Sequence, residues 1–168
     1  SASLLTNAKM IEVLGVESSG EAEPFVVQSG GTLWLGLGSD HTDRGLEAHS
    51  VAHSKQICAK PVAGALWRLD SVANLDALEL RSWIEEGGAW VPYQEGTLAA
   101  IRPLSELIAG AALGEGDAVL CGTLPAIGGV RAAVVLAGAA GRVAGAVSMA
   151  AGEYVSVSSQ ADTEAADT

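Results

Sequence analysis

Two glutamates stand at the start of an apolar segment, in the sequence SGEAEPFVV. Glu21 and Glu23 are two positions apart, so on a β-strand their side chains leave the same face. Carboxylates on one face repel each other unless a proton or a cation lies between them, and a hard cation such as Mg²⁺ is one resolution. On spacing alone, a solvated acidic turn is the commoner explanation of such a pair.

A second group of reactive side chains follows in SDHTDRGLEAHSVAHSK. This short polar segment combines the acid Asp40 with the cations Arg44 and Lys55, after a strand-like run that contains a tryptophan. Such mixtures are typical of catalytic loops that handle anions. The segment therefore raises the odds that the two glutamates belong to a site.

Proton transfer would need a group that titrates near neutral pH, and all three histidines lie in this segment. His41 is adjacent to Asp40 and is the first candidate. His49 and His53 are alternatives, and any one of the three, taken singly, is more often an ordinary loop histidine.

The elements that must position these groups are mostly strands. Short apolar runs (MIEVLGV, PFVV, TLWLGL, LWRLDSV, LELRSWI, AWVPYQEG and DAVLCGTLP) alternate with turn-forming clusters, including the pair Gly87 and Gly88. The polar stretch 39–66 is expected to be a functional loop with one short helix, and Pro103 begins an amphipathic helix. The pattern predicts a mixed β fold with few helices.

Composition limits the classes of function. The chain has 168 residues, is 49% hydrophobic and carries a formal net charge of -11, which predicts a folded domain that repels nucleic acid. Cys58 and Cys121 are too few for a disulfide framework, and no secretory leader is recognisable, so a cytoplasmic location is expected. The sequence begins at Ser1 in what looks like mid-domain sequence, which suggests a fragment.

Four motifs in a fixed order carry a family resemblance over about 1–131. They are Glu21-Ala22-Glu23, SDHTDR from Ser39, Ser54-Lys55, and GDAVLCGTLP from Gly116. The order resembles the carboxy-terminal domain of fumarylacetoacetate hydrolase (FAH), and GSDHTDRGLEAHSVAHSKQICAKPVAGALWRLD is similar to a bacterial branch of that superfamily, the DUF2848 family. The resemblance implies an FAH-like β-roll, incomplete at its amino terminus.

This resemblance also implies a metal site and a class of reaction. Relatives bind one Mg²⁺ or Mn²⁺ through residues that match Glu21, Glu23 and Asp40, and the metal acts on a small oxo acid as a Lewis acid. The implied reactions are hydrolysis of a carbon–carbon bond, decarboxylation or isomerisation. We expect an oxo-acid substrate and a homodimer.

Further residues receive roles by the same resemblance. Lys55 matches the lysine beside the substrate's oxyanion, and Arg44 is a further catalytic candidate, with bracing of an acid as its alternative role. Gly122 and Thr123 are candidates for substrate contacts, although Leu124 departs from the usual motif. The histidine and glutamate pair that serves as base in relatives has no match, and the missing amino-terminal portion could abolish catalysis. A non-catalytic oligomeric module is therefore an alternative.

The carboxy-terminal part differs in composition from the rest. Residues 132–152 are almost entirely small and apolar, and SMAAGEYVSVSSQ resembles a pore helix of the vacuolar iron transporter family. Met149 and Glu153 would be its Fe²⁺ or Mn²⁺ ligands, which makes a fragment of a membrane carrier a second alternative. Arg142 lies mid-run and costs about 2.5 to 3.5 kcal/mol on insertion scales, so membrane insertion through 132–152 is marginal.

We therefore expect a chimeric or truncated chain of three parts. Residues 1–131 form the FAH-like domain, 132–160 an Ala/Gly-rich apolar helix, and 161–168 a disordered acidic tail. The predicted join lies between Gly129 and Ala133.

Overall fold

Strands prevail in the computed structural model, which describes residues 4–8, 10–14, 16–131, 135–140 and 156–160. In chain order the strands are β1 (Leu5–Thr6), β2 (Met10–Leu14), β3 (Ser18–Ser19), β4 (Ala22–Ser29), β5 (Thr32–Ser39), β6 (Thr42–Asp43), β7 (Lys60–Pro61), β8 (Trp67–Arg68), β9 (Glu79–Glu86), β10 (Ala89–Thr97), β11 (Ala118–Leu120), β12 (Val135–Ala140) and β13 (Ser156–Gln160). The helices are α1 (Arg44–Glu47), α2 (Val51–Gln56) and α3 (Leu104–Ala111), with short 3₁₀ turns at Leu69–Ser71 and Leu98–Ala100.

The central sheet has the strand order β11-β4-β5-β8 and is antiparallel throughout. Its main feature is the β4–β5 hairpin, in which Ser29 pairs with Thr32 across a two-residue turn. Gly30 and Gly31 both have positive φ, 59° and 68°, as a type I′ turn requires. The carboxylate of Glu115 accepts hydrogen bonds from both of these backbone N–H groups, at 2.8 and 3.3 Å.

A second antiparallel sheet has the order β10-β9-β12. The predicted turn at Gly87 and Gly88 joins β9 to β10. Shorter pairings complete the sheet structure of the described residues: β1 with β7 and β2 with β13 are parallel, and β3 with β6 is antiparallel.

The main core lies between these sheets and α3. Its buried members are Ala22, Val26, Leu35, Leu37, Leu80, Leu98, Leu104, Cys121 and Leu124. Alternation explains the contribution of β9, where Leu80, Ser82 and Ile84 are buried and the residues between them are more exposed. The core thus fixes β4 and β5, the strands on which the site is built.

The sequence-based prediction of a mixed β fold with few helices is confirmed. The amphipathic helix after Pro103 is present as α3, and its C-cap Ala112 has a left-handed φ of 47°. The polar stretch 39–66 contains two short helices, α1 and α2, where we expected one. Asp43 and Ser50 explain the second, because their side chains cap the two helices separately.

In the parts of 132–160 that the structure describes, it has strands and not the expected helix. Residues Val135–Ala140 form β12 against β9, and Ser156–Gln160 form β13 against β2. Alanine and glycine offer little side-chain burial to a helix, and Gly138 lowers helix propensity, whereas pairing with β9 supplies hydrogen bonds to the backbone of every second residue along β12. Met149, Glu153 and the acidic tail 161–168 lie outside the described residues.

Candidate functional site

The three predicted metal ligands meet at one end of the β4–β5 hairpin. Glu21 directly precedes β4, Glu23 lies in β4, and Asp40 directly follows β5. The antiparallel register sets Glu23 opposite Gly38, so the first residues of β4 lie beside the last residues of β5. The Asp40 backbone N–H donates to the Glu21 carbonyl oxygen at 2.9 Å, which extends this pairing.

Asp40 is buried and bonded to two lysines. The Lys60 ammonium lies 2.8 Å from Asp40 Oδ1, and the Lys55 ammonium bonds Oδ2. Burial alone would raise the pKa of Asp40, but the hydrogen bonds from Lys55 and Lys60 outweigh it, and the pKa of this carboxyl lies below its usual value. Asp40 is therefore held as a carboxylate.

Glu23 is the most enclosed of the three acids, with 5% of its surface exposed. Its Oε2 accepts a hydrogen bond of 2.9 Å from the Gly122 backbone N–H. Burial, followed by the negative charge of Asp40 and, less strongly, of Glu21, raises the pKa of Glu23 to about 7. A cation at this position would relieve the repulsion that raises it.

Glu21 is bound by Arg44, the first residue of α1. Arg44 Nη2 lies 3.2 Å from Glu21 Oε2, and the same guanidinium bonds Glu47 and the Ser19 hydroxyl. Arg44 thereby ties α1 to the segment before β4 and braces an acid. Its predicted catalytic role stays a prediction.

His41 is fully enclosed beside the acids. Its Nδ1 lies 3.1 Å from the Ser39 hydroxyl, and its Nε2 is buried with no hydrogen-bond partner among the described residues. A Cβ atom at Gly20 would come within 2.6 Å of the ring, so glycine is the residue that leaves room for it. Burial, followed by the charge of Lys60, lowers the pKa of His41 to about 4, which leaves the imidazole neutral at pH 7. His49 and His53 are exposed.

Gly122 and Thr123 follow β11 and contact the acid-bearing strand. Gly122 has a φ of 86°, a conformation that suits glycine, and donates to Glu23 as described. The Thr123 hydroxyl donates to the Ala22 carbonyl oxygen at 2.6 Å. Both residues therefore support β4, and their predicted substrate contacts stay predictions.

Lys60 is a site residue that sequence reasoning missed. It is 6% exposed, bonds Asp40 and also donates to the His41 carbonyl oxygen. The sequence signal was a single charge inside the apolar run CAKPVA. A lysine there is costly to bury unless it has partners, which Asp40 and His41 supply.

A cavity of about 350 Å³ opens beside the lysine pair. Asp40, Lys55 and Lys60 line one side, and apolar residues such as Phe25 and Leu120 line another. Glu21 and Glu23 lie outside its lining. A small anion in this cavity would face two ammonium groups.

The three acids offer carboxylate oxygens, which are the ligands that hard divalent cations prefer. Glu21, Glu23 and Asp40 supply carboxylate oxygens at one end of one hairpin, and burial, followed by the negative charges of the other two acids, raises the pKa of Glu23. As the side chains stand, however, no three acidic, histidine or cysteine residues within the described part of the chain are grouped closely enough to hold a metal ion. The oxygens instead face Arg44, Lys55, Lys60 and the Gly122 N–H.

Solved structures of similar fold are FAH-type enzymes. Maleylpyruvate hydrolase from Sphingobium sp. SYK-6 in complex with manganese (II) and pyruvate has a TM-score of 0.65 at 18% identity, over 94% of this chain and 62% of that one. 2-Keto-3-deoxy-D-arabinonate dehydratase with magnesium and 2,5-dioxopentanoate gives 0.64 at 18%, over 90% and 57%. A fumarylacetoacetate hydrolase family protein from Yersinia pestis CO92 gives 0.64 at 18%, over 81% and 72%.

These likenesses establish an FAH-like fold. The chain spans 55 to 62% of the length of the first three structures it matches, so it corresponds to part of each of those proteins. A comparison with curated proteins finds no match.

Two family models match different parts of the sequence. The VIT family matches residues 117–168. No helix in the described ranges is long and apolar enough to cross a membrane. The other model, described as a protein of unknown function (DUF2848), matches residues 1–136, which is most of the chain. With its motifs, its hairpin-borne acids and its FAH-like fold, the chain belongs to the DUF2848 family.

Proposed function

We propose that the chain is the metal-binding part of a divalent-metal-dependent enzyme that acts on a small oxo acid. The observation that carries the proposal is that three carboxylates lie at one end of the β4–β5 hairpin, where one of them, Asp40, is paired with two lysines and lines a cavity with them. The breaking or rearrangement of a bond next to a carbonyl group develops negative charge on oxygen, and this group of side chains is suited to that charge.

Glu21, Glu23 and Asp40 would hold Mg²⁺ or Mn²⁺. The bound cation supplies Lewis-acid polarisation of the oxo-acid oxygens. Binding requires these carboxylates to exchange part of their present ion pairing for the cation. Arg44 then keeps Glu21 near the site, and Gly122 orients Glu23 through its N–H group.

The two lysines act on the substrate side of Asp40. Lys60, held by Asp40 and the His41 carbonyl oxygen, keeps an ammonium at a fixed place on the cavity wall, where it stabilises negative charge on a substrate oxygen. Lys55 is more exposed and attracts the substrate carboxylate. Cleavage, decarboxylation and isomerisation of an oxo acid all need this stabilisation, so the reaction type stays open among them.

Turnover of a panel of small oxo acids by the full chain with Mn²⁺ tests the proposal. Acylpyruvates and 3-oxo acids form the panel, and product is followed by chromatography. We expect turnover that stops with EDTA and falls at least about 100-fold in Lys60→Met, the range found for loss of one oxyanion donor. Binding of oxalate with Mn²⁺ but no turnover would favour the non-catalytic oligomeric module, and absence of both would contradict the proposal.

The alternative of a membrane metal carrier rests on the VIT family match at 117–168 alone. Its proposed ligands, Met149 and Glu153, lie outside the described residues. The FAH-like fold extends over 94% of the chain in the comparison with maleylpyruvate hydrolase, which favours the enzyme proposal.

A further inference from the structure

Ala22, the residue between the two glutamates, has its backbone N–H and carbonyl groups bonded to side chains and not to a neighbouring strand. Strand β11 pairs with β4 as far as Phe25, and the Cys121 N–H then donates to the Pro24 carbonyl oxygen at 2.9 Å. Ala22, two residues before Pro24, has its backbone groups on this same side of β4. The described residues after Cys121 provide no backbone partner for them, and Ala22 is fully buried.

Two side chains replace the missing strand. The Ala22 N–H donates to Gln94 Oε1 at 2.8 Å, and the Ala22 carbonyl oxygen accepts from the Thr123 hydroxyl at 2.6 Å. The Gln94 amide nitrogen in turn donates to the Thr123 hydroxyl oxygen. Ala22, Gln94 and Thr123 thus form a closed ring of hydrogen bonds, referred to below as the Ala22 ring.

Gln94 uses its full hydrogen-bonding capacity in this position. Its oxygen accepts a second bond from the Ser82 hydroxyl at 2.7 Å, and its nitrogen donates a second bond to the Leu124 carbonyl oxygen at 3.0 Å. An amide has two donor hydrogens and two acceptor lone pairs, so no capacity remains. Gln94 is 1% exposed and lies on β10, so it connects the second sheet to β4.

The Gln94 amide also affects the position of Glu23 through the segment that follows β11. By holding Thr123 and Leu124, Gln94 fixes the segment after β11, whose Gly122 N–H donates to Glu23 Oε2. Both routes from Gln94 therefore lead to the glutamates, one through the backbone of Ala22 and one through Gly122.

We infer that Gln94 is a positioning residue of the metal site, which sets the directions of Glu21 and Glu23 through the Ala22 ring and the segment at Gly122. The inference rests on the proposed function for the identity of the ligand. Outer contacts of this kind orient the groups that bind a metal and contribute to its affinity. Gln94 itself contacts neither metal nor substrate.

Isothermal titration of the full chain with Mn²⁺ compares Gln94→Met with Ser82→Ala. The serine variant removes a hydrogen bond from the same amide oxygen and leaves the Ala22 ring intact, so it is the matched control. We expect Gln94→Met to weaken Mn²⁺ binding by about 10- to 100-fold and Ser82→Ala to change it by less than about twofold. Urea unfolding without metal reports the loss of stability in each variant.

A purely structural role for Gln94 would lower stability with no change in Mn²⁺ affinity, and that result overturns the inference. If Gln94→Met does not fold, Thr123→Val opens the ring at its other arm and is expected to weaken binding by at least about tenfold. Unchanged affinity in a folded Thr123→Val also overturns it. The electron paramagnetic resonance spectrum of bound Mn²⁺ should change in the ring variants and not in Ser82→Ala.

The proposed function and the role of the Ala22 ring can be tested separately. If the unaltered chain binds no Mn²⁺, the proposed function fails, and hydrogen exchange of the Ala22 amide alone tests whether Gln94 holds this strand end. Faster exchange in Gln94→Met than in Ser82→Ala supports the ring, and equal exchange contradicts it.

Discussion

Asp40 is the point at which the charges of the site meet. It accepts from two lysines that differ in exposure: the side chain of Lys55 is 36% exposed and that of Lys60 is 8% exposed. Water screens the first pair far more than the second. The two lysines, which are alike in chemistry, should therefore contribute unequally to stability.

Replacement of each lysine by methionine tests this difference. Lys60→Met leaves a buried carboxylate with one partner fewer and should lower the free energy of unfolding by about 3 kcal/mol, the lower end for a broken buried pair because Lys55 remains. Lys55→Met should cost about 1 kcal/mol or less. Urea unfolding of both variants in the absence of metal measures the two values, and equal losses would contradict the assignment.

Some of the individual residues of the candidate site were predictable from the sequence. The spacing of Glu21 and Glu23 predicted a shared face, the family resemblance added Asp40, and the hairpin register brings the three to one end of the sheet. Lys60 and Gln94 were missed because lysine and glutamine are usually exposed, and their burial depends on partners distant in sequence. No local pattern marks such partners.

The β4–β5 hairpin is the element that brings the acids together. Its two-residue turn fixes the register, and a shift by one residue would move Glu23 to the opposite face. Gly30 has a φ of 59°, and a Cβ atom there would meet nothing within 4 Å. Any loss on substitution therefore comes from backbone conformation and not from collision.

Substitutions at Gly30 should follow the left-handed preference of the new residue. Gly30→Val should lower the free energy of unfolding by about 1 to 2 kcal/mol, because a β-branched residue disfavours positive φ. Gly30→Asn is the control, because asparagine tolerates this conformation, and it should lower the free energy of unfolding by a few tenths of the loss in the valine variant. Thermal and urea unfolding measure both, and an asparagine variant as unstable as the valine variant would argue against the turn type.

The strands were predictable and the tail was not, for one physical reason. Runs such as PFVV and TLWLGL are apolar, contain β-branched or aromatic residues and are separated by the glycine pair Gly30 and Gly31, which are local signals. The segment of β12 has no such signal, since VLAGAA suits a helix or a strand almost equally. Its pairing with β9 depends on an available sheet edge, which lies outside the local sequence.

For the whole molecule, metal binding and folding should be linked. A ligand that binds only the folded chain stabilises it, by about 2.7 kcal/mol when the free ligand is at 100 times its dissociation constant. Mn²⁺ should therefore raise the free energy of unfolding by about this amount, and EDTA should reverse the gain. Chemical unfolding with and without Mn²⁺ measures it, and an equal gain in Glu23→Ala would show that the ion binds elsewhere.

The account depends most on the metal site at the end of the hairpin. Isothermal titration of the full chain with Mn²⁺ should show one site, which Glu23→Ala abolishes. The control Glu106→Ala removes an exposed acid on α3, far from the hairpin in sequence and paired with Arg102, and should leave binding unchanged. Binding that persists in Glu23→Ala, or no binding by the unaltered chain, would contradict the central claim.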